Sequence, residues 1–321
     1  MAFLRERSGA FSPEKIVALL FVLAPLGWLA ARALGGGLTP ADPFGVAGGG
    51  LGGGGLGGGG ALGADPALAA RPLVEALRYI GEWSIRLLLA TLAITPARRL
   101  FNWPRLLAAR RTLGLGAAVY VVLHVGFYVA DIGDLGMVAR EIVLRIYLTI
   151  GFVALIGLLV LSATSWDGAV QRLGSARWNQ IHMLVYPITA LGLLHFFMQQ
   201  KLDVTEPTLM TGLFLWLIYW RIAQRFQHGT GLVAMIVVAA ASGLSTALVE
   251  AGWYLAATGI DPWRVLNANL AFSYSIRPAW WVFGTGIAIA LASEIVLRLR
   301  PLPARRAGRA QSTSRASSSA A

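Results

Sequence analysis

The chain has 321 residues, 56% of them hydrophobic and only 13% charged, against about 25% charged in a typical soluble domain, which marks an integral membrane protein. It contains no cysteine, so disulfides, iron–sulfur clusters, thiolate-ligated heme and covalent heme attachment at CxxCH are excluded together, and any metal chemistry falls to histidine and the carboxylates. The net charge of +12 does not signal nucleic acid, because the arginines sit beside apolar runs and not on a groove-sized basic face.

In chain order, the first apolar run spans 16–34 behind Arg5, Arg7 and Lys15. Its length suits a retained membrane helix; the competing reading, a signal peptide, rests on "ARA" at 31–33, which resembles a cleavage site. Residues 1–34 are thus an N-terminal transmembrane unit. Residues 35–71 follow as a glycine-rich external linker containing "GGGLGGGGLGGGG" at 48–60. Such a stretch cannot bury enough surface to offset its backbone entropy. With no strand before it and no Lys-Ser/Thr after it, it does not read as a phosphate loop.

Apolar segments then recur at 80–97, 112–130, 146–163, 182–199, 208–225, 231–257 and 279–297, each near the ~20 residues that cross a hydrocarbon core. The pattern predicts an all-α integral membrane protein, a bundle of about eight transmembrane helices, followed at 301–321 by a polar, disordered tail. With the N-terminus inside, the loops 98–111, 164–181 and 221–230 and both termini face the cytoplasm. These parts hold most of the 27 basic residues, as the positive-inside rule requires.

Four histidines punctuate this apolar chain. His228 follows "RIAQRFQ" at a helix end and reads as a solvated interfacial residue. His124, His182 and His195 lie in or beside the third and fifth spans, and polar groups at membrane depth call for a functional explanation. His124 stands 13 residues beyond Arg111, and His195 stands 13 beyond His182, about 20 Å in each case at 1.5 Å per residue. Both spans run from inside to outside, so His124 and His195 share a depth in the outer half. Two neutral imidazoles facing each other across a bundle core are what a bis-histidine b-type heme needs.

His182 sits about 20 Å lower, and its counterpart position at the foot of the third span holds Arg110 and Arg111. A second heme there would have one histidine plus water or another donor, or the site would take a different cofactor. Thirteen residues also leave His182 and His195 about 140° apart around an ideal helix, and Pro187 between them can kink the span. Arg86, a charge within the second span, either pairs with a heme propionate or pairs with Glu82 at i−4; Arg110 and Arg111 are further candidates to contact a propionate or cofactor. Glu250 in the seventh span has no evident partner, and "PAWWVFG" at 278–284 fits an interfacial aromatic belt.

Four ordered segments carry a resemblance: "LLLATLAITPARRL" (87–100), "RRTLGLGAAVYVVLHVGFYV" (110–129), "EIVLRIYLTIGFVALIGLLVLSATS" (141–165) and "RLGSARWNQIHMLVYPITALGLLHFF" (172–197). In that order and spacing they resemble the MsrQ (YedZ) family, the heme-binding membrane subunit of the bacterial MsrPQ methionine sulfoxide reductase system, over residues 72–226. The family belongs to the ferric-reductase-like transmembrane group, which implies a six-helix core. The resemblance implies heme b, in one or two copies, with heme iron at His124, His182 and His195, and FMN is associated with the family. It implies a multi-pass protein of the bacterial inner membrane that carries electrons from quinol or a cytoplasmic flavin reductase to a periplasmic molybdopterin enzyme, MsrP, which reduces methionine sulfoxide in oxidised proteins. The membrane subunit does not itself bind methionine sulfoxide. Residues 227–300, with two further spans, exceed that core, and the arginines at the foot of the third span depart from the larger group's four-histidine pattern.

Two other classes compete: a permease whose histidines bind a metal ion, and a structural anchor whose histidines only pack. The permease wants more donors at the depth of His124 and His195 than the third and fifth spans supply.

Overall fold

The computed structural model describes residues 12–35, 71–200, 203–226, 231–272 and 275–299. The glycine-rich stretch 36–70, His228 and the tail from 300 onward lie outside the described residues. Among those described, the elements are helices: α1 (Pro13–Leu34), α2 (Pro72–Leu100), α3 (Ala109–Ile132), α4 (Leu135–Leu144), α5 (Ile146–Ala163), α6 (Asp167–Leu173), α7 (Ser175–His182), α8 (Val185–Gln199), α9 (Thr205–Arg225), α10 (Leu232–Thr258), α11 (Pro262–Ala268) and α12 (Pro278–Leu299). The chain is an all-α membrane protein, and each expected span corresponds to a helix.

Among the described residues, six stretches are long and apolar enough to cross a membrane: Pro13–Leu34, Pro104–Ile132, Ile146–Ala163, Ser175–Gln199, Leu232–Thr258 and Pro278–Leu299. Of the eight expected spans, α2 and α9 fall short of that apolarity. The reason is their position. Both are packed on several sides by other helices, and they carry polar groups held by those neighbours: Arg86 of α2 pairs with Glu82 and with Glu206 of α9, and Arg221 lies further along α9. A helix enclosed by protein need not be apolar all round. Half-buried Arg221 shows how such a charge is satisfied: it donates to the Leu92 and Leu217 carbonyls and to the Tyr186 hydroxyl, each at 2.7 Å, tying α9 to α2 and α8.

The helices alternate in direction. Glu14 at the start of α1 accepts from Trp103 just past the end of α2 at 3.1 Å, while Arg32 near the end of α1 forks onto Glu75 at the start of α2, at 2.5 and 2.9 Å. One end of the bundle therefore carries the start of α2, the ends of α3 and α8, and the starts of α5 and α9. The opposite end carries Arg98, Arg110, Arg111, Arg172 and Arg225.

Local chemistry sets the boundaries. Pro72 opens α2 at a first-turn position, where its missing N–H costs nothing, so α2 begins eight residues before its apolar run. Gly133 closes α3 at φ 73°, a left-handed conformation that suits glycine. Asp134 then caps α4, accepting from the Met137 amide at 2.8 Å. The fifth apolar segment is one span of two helices joined by a tight turn at Met183–Leu184, whose residues keep helical dihedrals, and Pro187 occupies the first turn of α8, where its lack of a donor is tolerated.

Beyond α9, α10 and α12 pack against each other and against α9. Glu250 of α10 is buried at 1% exposure. It accepts from the Asn269 amide at 3.1 Å and faces the Arg277 guanidinium at 3.6 Å, so it has the partners that its span alone does not show. Phe197 of α8 meets Trp253 of α10 with ring centroids 4.9 Å apart, which joins this pair to the histidine-bearing core.

Candidate heme site

α2, α3, α4, α5 and α8 enclose a cavity of about 480 Å³ lined by both His124 and His195, within the ~300–1,000 Å³ usual for small-molecule sites. The two imidazoles project into it from α3 and α8. Their ring centroids lie 6.2 Å apart and their planes are perpendicular.

Each ring is held in the same way. His124 Nδ1 lies 2.9 Å from the Leu77 carbonyl of α2, and His195 Nδ1 lies 2.7 Å from the Tyr147 carbonyl of α5. A carbonyl only accepts, so each Nδ1 carries the proton and each Nε2 keeps a free lone pair. Neither Nε2 has a hydrogen-bond partner among the described residues. Each ring also lies against a glycine four residues beyond the carbonyl it binds. A β-carbon on Gly81 would fall 2.8 Å from His124 Nδ1, and one on Gly151 would fall 2.8 Å from His195 Nδ1. The glycines let the imidazole edge approach the helix backbone, and the edge bearing Nε2 faces away from it.

This arrangement fits heme iron. Metal–imidazole bonds are about 2 Å long and a ring nitrogen lies about 1 Å from the ring centre, so two imidazoles on opposite sides of one metal have centroids ~6 Å apart. Donation of the other ring N–H to a carbonyl is how metal-bound histidines are usually oriented. The inner part of the cavity is aliphatic, with Leu88, Leu155, Leu158 and Ile188, and the opposite part, toward the start of α2, is charged. A flat apolar ring with acidic substituents on one edge matches that gradient.

The structure does not bring His182 to this cavity. Its ring stacks on Trp178 at 3.8 Å, with Nδ1 3.1 Å from the Trp178 carbonyl and Nε2 3.3 Å from the Ser165 hydroxyl. Both nitrogens are engaged, unlike those of the other two.

The arginine candidates stand differently from their expected propionate or cofactor contacts. Arg86 forks onto Glu82 at 3.1 Å and Glu206 at 3.0 Å and lies over Trp83. Of the two readings of Arg86, pairing with Glu82 is what the structure contains; its guanidinium is taken up by two carboxylates and does not line the cavity. Arg111 pairs with Asp167 at 2.7 Å, and neither it nor Arg110 lines the cavity. The arginines that do are Arg71, Arg78 and Arg145, which sequence reasoning passed over because they lie outside the apolar runs. The glycine seats were missed too; the only signal was a glycine amid bulky neighbours in "RYIGEW" and "YLTIGF". α4, whose Met137, Glu141 and Ile142 line the cavity, is too short to register as a span.

Comparison with known proteins identifies the family. Residues 80–193 match the family model described as ferric reductase like transmembrane component. The chain is 42% identical over 211 residues to the protein-methionine-sulfoxide reductase heme-binding subunit MsrQ of Rhodospirillum rubrum, covering 65% of this chain and 85% of that protein. It is 41% identical over 157 residues to the MsrQ of Caulobacter vibrioides (48% of this chain, 75% of that one). With the MsrQ of Xanthomonas campestris pv. campestris it shares 42% over 163 residues (50% and 74%). No solved structure matches the chain.

Proposed function

The chain belongs to the family of the protein-methionine-sulfoxide reductase heme-binding subunit MsrQ, and we propose that it holds heme b between His124 and His195 and conducts electrons across the membrane for repair of oxidised periplasmic proteins. The observation that carries this reading is the pair of inward-facing imidazoles 6.2 Å apart, each with Nδ1 fixed on a backbone carbonyl and Nε2 free. Residues 72–226 form the heme-binding unit in this reading, with α1 before it and the 227–300 pair added after it.

A bound heme supplies one-electron carriage. The protein's part is to fix two neutral imidazoles in one tautomer, to wall the ring with aliphatic side chains that exclude water, and to keep that geometry in both oxidation states so that little reorganisation accompanies transfer. The end of the bundle bearing Arg98, Arg110 and Arg111 is cytoplasmic by the positive-inside rule, which puts the cavity toward the periplasm of a bacterial inner membrane. Electrons then enter from quinol or a cytoplasmic flavin reductase and leave to a periplasmic MsrP-like molybdopterin subunit. His182, near the basic end, belongs to the entry side, where a second heme or FMN would sit.

A metal-ion permease is the weaker reading. Among the described residues no group of three His, Cys, Asp or Glu side chains is placed to hold a metal ion. Absorption spectroscopy of the purified full-length protein in detergent tests the proposal: a Soret band with sharp reduced α and β bands is expected, and protein made with ample heme that lacks them would refute it. Heme and flavin counts per polypeptide then settle the stoichiometry.

A further inference from the structure

Among the described residues, three carboxylates and three arginines line the cavity: Glu82, Asp131 and Glu141 with Arg71, Arg78 and Arg145. Each of these carboxylates has an arginine within ion-pair distance, Glu82 sharing its arginine with Glu206. Asp131 pairs with Arg71 at 2.6 Å, Glu141 with Arg145, and Glu82 with Arg86 at 3.1 Å. Among the described residues Arg78 alone of the lining charges has no ion pair or side-chain hydrogen bond.

Its placement is specific. Arg78 follows Leu77, whose carbonyl fixes His124, and precedes by one helical turn the Gly81 seat of the same imidazole. Arg78, Gly81, Glu82 and Ile85 all line the cavity, so they share one face of α2 at the spacing of helical neighbours. An arginine cannot discard its charge by losing a proton, and Arg78, exposed at the mouth of a largely apolar cavity, is placed to meet the anionic edge of a ligand seated there. None of the carboxylates on the cavity wall pairs with it among the described residues.

We propose that Arg78 receives a propionate of the bound heme, a ligand carboxylate for the one lining arginine that has no ion pair among the described residues. The proposal rests on the heme reading above and gives the porphyrin an orientation. Its propionate edge faces the start of α2, where the lining charges gather, and its opposite edge lies among Leu88, Leu155, Leu158 and Ile188. A guanidinium donates two parallel N–H bonds to a carboxylate, so the contact fixes rotation about the His124–His195 axis as well as adding affinity. The cation also favours the reduced, less positive iron.

The test compares heme with heme dimethyl ester, which lacks the propionate charges, bound to full-length protein prepared under heme depletion. Arg78→Gln is expected to weaken heme binding about tenfold and to leave binding of the dimethyl ester unchanged; Arg78→Lys, which keeps the charge but not the fork, falls between. In the holoprotein, Arg78→Gln is expected to lower the heme midpoint potential by about 59 mV, a tenfold shift of a one-electron equilibrium. An equal loss for both porphyrins, or unchanged heme affinity and potential, would overturn the assignment while the bis-histidine site stands. Wild-type protein that binds neither porphyrin would instead overturn the heme reading itself.

Discussion

Gly81 and His124 approach so closely that no β-carbon fits between them: one built on Gly81 would lie 2.8 Å from Nδ1 and 2.9 Å from Cε1 of the ring. Gly151 stands in the same relation to His195. An alanine at either position must push the ring off its carbonyl, because the obstructed atoms belong to a rigid ring held by a hydrogen bond. Gly81→Ala and Gly151→Ala are each expected to reduce bound low-spin heme by more than half at equal protein yield, with the remainder shifted to high spin. Heme content and the Soret maximum check this. Alanine at Gly126, which meets nothing within 4 Å, serves as the control and should leave both unchanged.

The three buried-span histidines separate cleanly by their contacts. His124→Ala and His195→Ala each remove one of the paired Nε2 donors and are expected to abolish the low-spin heme. His182→Ala breaks only the stack on Trp178 and the contact with Ser165, and retains that heme. Loss of all heme in His182→Ala protein that is otherwise folded would contradict the pairing.

Arg86 is a structural tie between α2 and α9. Arg86→Gln leaves Glu82 and Glu206 facing one another with a weaker donor, and is expected to destabilise the half-buried cluster by about 1–3 kcal/mol. The measurement is the thermal midpoint in detergent together with the absorption spectrum. A lowered midpoint with unchanged heme bands is expected, whereas selective loss of heme would return Arg86 to the cofactor.

Much of this was legible in the sequence, and the reason is instructive. Hydropathy found the helices, six of them long and apolar enough to cross a membrane among the described residues, and the equal 13-residue offsets of His124 and His195 matched their depth, because rise per residue is the one property of a helix that is nearly fixed. Azimuth is not fixed in that way. Spacing puts His182 and His195 about 140° apart on an ideal helix, but α7 ends at His182 and α8 starts at Val185, so the two rings do not share one continuous helix. The charges were harder still. Arg86 stood out because it interrupts an apolar run, yet its partner Glu206 is 120 residues away. Arg78 was hidden in the polar first turns of α2, which a hydropathy window excludes. The seats at Gly81 and Gly151 depend on which helices are neighbours, and no local signal encodes that.

The added helices hold a buried polar latch. Arg277→Ala would leave the Glu250 carboxylate, 1% exposed, with only the Asn269 amide, and the loss is expected to be about 3 kcal/mol. Glu250→Gln together with Arg277→Ala should recover part of it. Thermal unfolding of the single and double variants checks the coupling; additive losses would show that the pair does not interact.

The central claim is that one heme iron is ligated by His124 and His195. Its most direct test is the absorption spectrum of purified, full-length wild-type, His124→Ala and His195→Ala proteins, normalised to protein. A low-spin bis-histidine heme at one or more per wild-type chain, missing from both variants, is the predicted result. An undiminished low-spin spectrum in either variant would contradict it.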